Sequence, residues 1–101
     1  MTSLVPETVV HLSPSSALHI RSWDDECVVF DVASSTTHLI QQPAGLLLEW
    51  VMDNPATLAH LADRLKPMVS IEDQAGSLQF VLNAAQSFVA MGLLEVQELS
   101  V

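Results

Sequence analysis

Residues Arg21–Ile40, RSWDDECVVFDVASSTTHLI, spell two short strands around a polar turn. Cys27-Val28-Val29-Phe30 is apolar and rich in β-branched residues, which favours a pleated, half-buried segment. Ala33-Ser34-Ser35 breaks it, and Thr36 to Ile40 resumes the strand pattern. If a four-residue loop joins them, Val28 faces Leu39 and Phe30 faces Thr37, while the register itself stays open at this point. Upstream, Ala17 to Trp23 alternates, with Leu18 and Ile20 on one face and His19 and Arg21 on the other. That alternation predicts a third, half-buried strand. Asp24-Asp25-Glu26 is the polar turn between it and Cys27. The three strands form an antiparallel sheet, and the last of them leaves on its outer side.

Beyond the hairpin the period changes to helical. Pro43 suits a first helical turn, where its missing N–H costs nothing. Ala44, Leu47, Leu48 and Val51 then recur on one face, and Asn54-Pro55 ends the segment. Thr57 reads as the N-cap of a second helix with Leu58, Leu61, Ala62 and Leu65 as its buried stripe. Ser70-Ile71-Glu72-Asp73 reads as the acidic start of a third helix, which runs to about Met91 before Gly92. On it, Ala75, Leu78, Val81, Leu82, Ala85, Phe88 and Val89 read as core, while Phe80, Ala84 and Met91 lie on another side. Apolar residues are so frequent that a helix buried nearly all round is the competing reading. Leu93-Leu94-Glu95-Val96 either forms a closing strand or packs back as coil. Residues 1–16 hold Pro6, Pro14 and a Ser-rich patch and read as an extended N-terminal arm, with Val9-Val10 a candidate short strand. Residues 17–101 read as one domain. Three strands followed by three helices is a winged helix-turn-helix-like α+β outline, with the sheet packed on the helices.

Composition limits the function. The chain has 101 residues, half of them hydrophobic, and a net charge of -9. Only Arg21, Arg64 and Lys66 are basic. Nucleic acid and anionic membranes both demand clustered cations, so neither is expected as a partner. Cys27 stands alone, which excludes an intrachain disulfide and suits a reducing compartment. The amino-terminal residues lack the basic region of a signal peptide, and Glu49 interrupts the longest apolar run. A soluble cytoplasmic protein is the expectation.

The string W-x-D-x-x-x-V-F-D-x-x-S-x-x-T-H-L, from Trp23 to Leu39, resembles the PqqD-like peptide chaperones. It is most similar to the variety encoded with HPr kinase-related proteins, the HPr-rel-A system. The Leu-rich helix after Pro43, the pattern Leu58-x-x-Leu61-Ala62-x-x-Leu65 and the ending Gly92-Leu93-Leu94-Glu95 fit the same outline, over roughly residues 17 to 96. The resemblance implies a leader-recognition element for ribosomally made, post-translationally modified peptides. Such a module is non-catalytic. It binds the leader of a precursor peptide by strand addition and presents it to a modifying enzyme. It needs no cofactor. Its implied partners are the precursor peptide and the modifying enzyme, an HPr kinase-related protein encoded nearby being one candidate. The implied peptide-binding residues are Thr37, His38, Leu39 and Ile40 on the third strand and Phe80 and Ala84 on the third helix. The family commonly has Gly in the hairpin turn where this chain has Ser35, and Ser adopts a left-handed conformation at greater cost.

Other chemistries find less support. His11, His19, His38, His60 and Cys27 match no metal-ligand spacing, so no metal is expected. Cys27 lies in an apolar strand and reads as a small inert hydrophobe. No nucleophile elbow accompanies the serines. Two alternatives stay open. One is an assembly subunit that uses the same strand edge for a dimer, swapped or not. The other, weaker, is a winged-helix DNA-binding regulator, whose recognition helix would carry no Lys or Arg between Asp73 and Met91. Trp23 is either a groove aromatic or, the better reading, a hairpin cap. Asp24, Asp25 and Glu26 read as a solvated turn, with attraction of a basic partner as the alternative.

Overall fold

A computed structural model describes residues 4–14, 17–69 and 75–97. In chain order they form β1 (Val9–Leu12), β2 (Leu18–Ser22), β3 (Glu26–Asp31), β4 (Thr36–Gln41), α1 (Ala44–Asp53), β5 (Ala56–Thr57), α2 (Leu58–Leu65), a 3-10 turn (Lys66–Met68), α3 (Ser77–Ala90) and β6 (Leu94–Val96). The fold is α+β, with three helices and two three-stranded antiparallel sheets among the described residues.

One sheet has the order β2-β3-β4 and carries the expected hairpin. Its register pairs Val28 with Leu39 and Phe30 with Thr37, as the four-residue loop from Val32 to Ser35 requires. Ser35 closes that loop at φ +58°, in the left-handed region. The core face presents Cys27, Val29 and Ile40, all buried. The outer face presents Phe30 and Leu39 to solvent.

The second sheet, β5-β1-β6, corrects the expectation of a single one. Val9 and Val10 form a strand that reaches Leu12 and lies at the centre of this sheet. Val10 is fully buried and pairs with both Ala56 and Val96. The closing segment is therefore a strand, β6, paired along β1. The same N-terminal segment caps α2. The carbonyls of Thr8 and Pro6 accept from the N–H groups of Leu58 and Ala59 at 3.0 and 2.9 Å. Thr57 adds its side chain, accepting from His60 N–H at 3.1 Å. These contacts occupy backbone donors that a helix start leaves unpaired.

Inside, Val10, Leu47, Val51, Leu61, Val81, Ala85, Phe88 and Leu94 converge from both sheet and helices. The buried stripe of α2 is the one expected from its spacing, and α1 buries Leu47, Leu48 and Val51 as expected but Gly45 in place of Ala44, which is half-buried. α3 differs. It buries Ser77, Val81, Ala85 and Phe88 but leaves Phe80 and Val89 exposed, so it is one-sided and not wrapped all round. Ala75 is exposed in a turn before the helix, and Gly76 occupies the N-cap position. The acidic start expected at Ser70 to Asp73 lies outside the described residues. Gly92 ends the helix region at φ +80°, as its position predicts. Among the described residues no helix is long and apolar enough to cross a membrane.

Candidate functional site: a sheet edge beside a helical groove

Among the described residues β4 is an edge strand. Gln42 N–H donates to Asp25 O at 3.1 Å, which sets the phase of the β3–β4 ladder. In an antiparallel ladder hydrogen-bonded pairs alternate with unbonded ones. Ile40 and His38 therefore turn their backbone groups toward β3. Thr37, Leu39 and Gln41 turn theirs away from it, to the side where no described strand pairs.

That open side faces α3 across a groove of about 410 Å³. Leu39, Ile40 and Gln41 form its strand wall. Phe80, Ala84 and Met91 form its helix wall with Asn83 and Ser87, one helical face in steps of three and four residues. Ile40 and Phe88 are buried and supply the floor. Leu39 is 65% exposed, while Phe80 and Met91 are 37% and 43% exposed. Large apolar side chains thus stay accessible around a recess, which is the usual make-up of a peptide or ligand cleft.

Local chemistry holds the groove open at its Gln42 end. Gln42 Oε1 accepts from Leu46 N–H at 3.2 Å at the start of α1. Its Nε2 donates to the Trp23 carbonyl at 3.4 Å. Ser22 Oγ donates to Glu49 Oε1 at 2.8 Å, tying β2 to α1. α1 also approaches β3 very closely. A Cβ on Gly45 would overlap Cys27 Sγ, and would come within 2.8 Å of Gln42 Oε1. Burial, and then the negative charge of Glu49, push the Cys27 thiol pKa up. Cys27 is thus a packed, protonated side chain.

At the far end of the hairpin Asp31 organises the loop. Its Oδ1 accepts from Ala17 N–H and Ala33 N–H, each at 3.1 Å. Hydrogen bonding, led by the Ala17 N–H, holds its pKa below the ordinary value despite burial. Ser34 and Thr36 pair their hydroxyls at 2.6 Å across the same loop.

The structure brings Leu39, Ile40, Phe80 and Ala84 of the expected site into one groove. Thr37 and His38 do not line it. Thr37 is exposed beyond its end, and His38 is half-buried on the core face opposite Val29. Trp23 is 54% exposed at the β2–β3 turn, where its N–H donates to Glu26 O at 2.7 Å. Its backbone closes that turn, and its side chain is not among the residues that line the groove. Sequence reasoning missed the polar rim of Gln41, Gln42, Asn83 and Ser87. Its signal was available in the spacing of Asn83 and Ser87 relative to Phe80 and Ala84. Gly45 was missed because only three dimensions reveal its neighbour.

No family model, no curated protein and no solved structure matches this chain.

Proposed function

We propose that the chain is a non-catalytic peptide-binding adaptor with a winged helix-turn-helix-like fold. It takes the leader segment of a ribosomally made precursor peptide as an added strand on β4 and presents it to a modifying enzyme. One observation carries this reading: the open backbone edge of β4 borders a groove walled by accessible Leu39, Phe80 and Met91. An unpaired edge is a template for an extended chain. Backbone bonds supply register-independent affinity, and side-chain recesses supply selection. The resemblance of the Trp23–Leu39 string to the PqqD-like chaperones supports the same assignment.

Magnitudes decide which variants are informative. Each added backbone hydrogen bond contributes about 1 kcal/mol net. Each well-buried apolar anchor contributes roughly 1.5–3 kcal/mol. Thr37→Ala keeps its backbone groups and should leave affinity within about twofold. Ala84→Trp fills the groove and should weaken binding at least about tenfold, one anchor's worth. The test is calorimetric titration of the precursor peptide encoded beside the gene against both variants, with circular dichroism to check folding. Ala84→Trp binding as tightly as the parent would place the site elsewhere.

The same edge favours a second reading as an assembly contact, because Leu39, Phe30 and Val32 expose apolar surface beside it. That reading requires a concentration-dependent dimer in sedimentation equilibrium without any peptide. A monomer at all concentrations rejects it.

A further inference from the structure

The acidic turn lies at one end of the open edge. Glu26 pairs with Gln41, and Asp25 O accepts from Gln42 N–H, so Asp24, Asp25 and Glu26 sit where β4 runs out toward α1. All three are exposed. The groove residues themselves carry no charge. The three basic residues of the chain lie away from the groove walls. Arg64 stacks over Trp50 at 4.4 Å from the ring centre, and Lys66 pairs with Asp63 at 3.4 Å. Arg21 is opposite Val28 on β2, on the far side of β3 from β4.

A strand added outside β4 lies two strand spacings from β3, or about 9.6 Å. That is somewhat beyond the Debye length of about 8 Å at physiological ionic strength, and a lysine or arginine side chain reaching back over the edge brings its charge within it. A cation at that end of the peptide lies across Gln41 from Glu26, with Asp24 and Asp25 in the adjoining turn. An anion there meets the same carboxylates with no groove cation to offset them. Direction follows from ladder geometry. An antiparallel strand is slightly better bonded per residue than a parallel one. Running opposite to β4, it places its amino-terminal end beside Gln41 and its carboxyl-terminal end beside Thr36.

We infer that the groove selects extended peptides with one or more Lys or Arg residues immediately amino-terminal to alternating apolar anchors. The inference rests on the peptide-binding reading above and adds the charge and polarity of the ligand. The apolar anchors fall at alternate positions because successive side chains of a strand face opposite ways. Only one set enters the recess between Leu39 and Phe80.

The test is selection of a randomised decapeptide display library on the full chain at low salt. The enriched peptides are then titrated as synthetic peptides against the parent, Ala84→Trp, and the triple variant Asp24→Asn, Asp25→Asn, Glu26→Gln. The expected pool has apolar residues at alternate positions and Lys or Arg on their amino-terminal side. Its members should bind the triple variant about threefold to fivefold more weakly, in line with exposed charge pairs. Raising the salt to 0.5 M should erase that difference through screening, roughly independent of the apolar anchors. Enriched peptides that are neutral, acidic or basic only at the carboxyl end overturn the inference while leaving the groove as a peptide site. Equal binding to the triple variant overturns it too. An empty selection, or peptides indifferent to Ala84→Trp, overturns both this inference and the peptide-binding reading.

Discussion

Ser35 holds the hairpin loop at φ +58°, where an L side chain crowds the following carbonyl. Such a conformation costs roughly 1–2 kcal/mol for an ordinary residue, and glycine avoids it. Glycine also loses more backbone freedom on folding, about 0.5–1 kcal/mol. The first effect wins, so Ser35→Gly should stabilise the chain by about 0.5–1 kcal/mol. Thermal unfolding should show it as a rise of about 2–8 °C in midpoint. Asp31 acts on the same loop through charge. Its folded-state pKa is depressed, so its contribution is fully present above the ordinary carboxylate value and is lost as pH falls through the folded value. Asp31→Asn keeps an oxygen able to accept from Ala17 and Ala33 but removes the charge. The variant should be less stable than the parent at pH 7. The gap should close as pH falls below about 3.9, and denaturant titrations at several pH values measure it. The importance of Asp31 was hard to read from sequence, because one acid after an apolar run resembles any strand end.

At the scale of elements, the contact between α1 and β3 sets the position of β4 and thereby one wall of the groove. Gly45 permits that contact by lacking a Cβ where Cys27 Sγ sits. Gly45→Ala gains about 1 kcal/mol of helix propensity but forces overlap in a packed core, at roughly 1–3 kcal/mol. Net destabilisation is expected, because the sulfur lies on a central strand that cannot withdraw. Cys27→Ala removes the sulfur, so the double variant should be more stable than the sum of the single effects by at least about 0.5 kcal/mol. Additivity in urea denaturation would contradict the close approach. The elements themselves were legible wherever a period had room to repeat. The stripe of α2, most of the stripe of α1 and the Thr57 cap follow from spacing, whereas the β3–β4 register depends on a loop length that only the structure supplies. α3 was legible as a helix, but its exposed face was not. Phe80 and Val89 are apolar, and only the packing shows that nothing described covers them.

On the scale of the whole molecule, the chain closes on itself through β1. Val9 pairs with Thr57 and Val10 with Val96, contacts far apart in sequence. β5 has two residues and β6 has three, too few to show any alternation. Val9-Val10 and Leu93 to Val96 were candidate strands, but β5 and the pairing of all three into a second sheet were invisible to pattern reading, while the sheet built from local hairpins was not. With the N-terminal segment packed against α2 and β6, β4 is left as the open edge of its sheet beside α3. Amide hydrogen exchange measured residue by residue, with and without the bound precursor peptide, tests strand addition at that edge most directly. Free protein should exchange quickly at Thr37, Leu39 and Gln41 and slowly at His38 and Ile40. With peptide bound, Leu39 and its outward-facing neighbours should slow by about tenfold or more, as each gains a hydrogen bond. Unchanged exchange at Thr37, Leu39 and Gln41 in a saturated complex would contradict strand addition on β4.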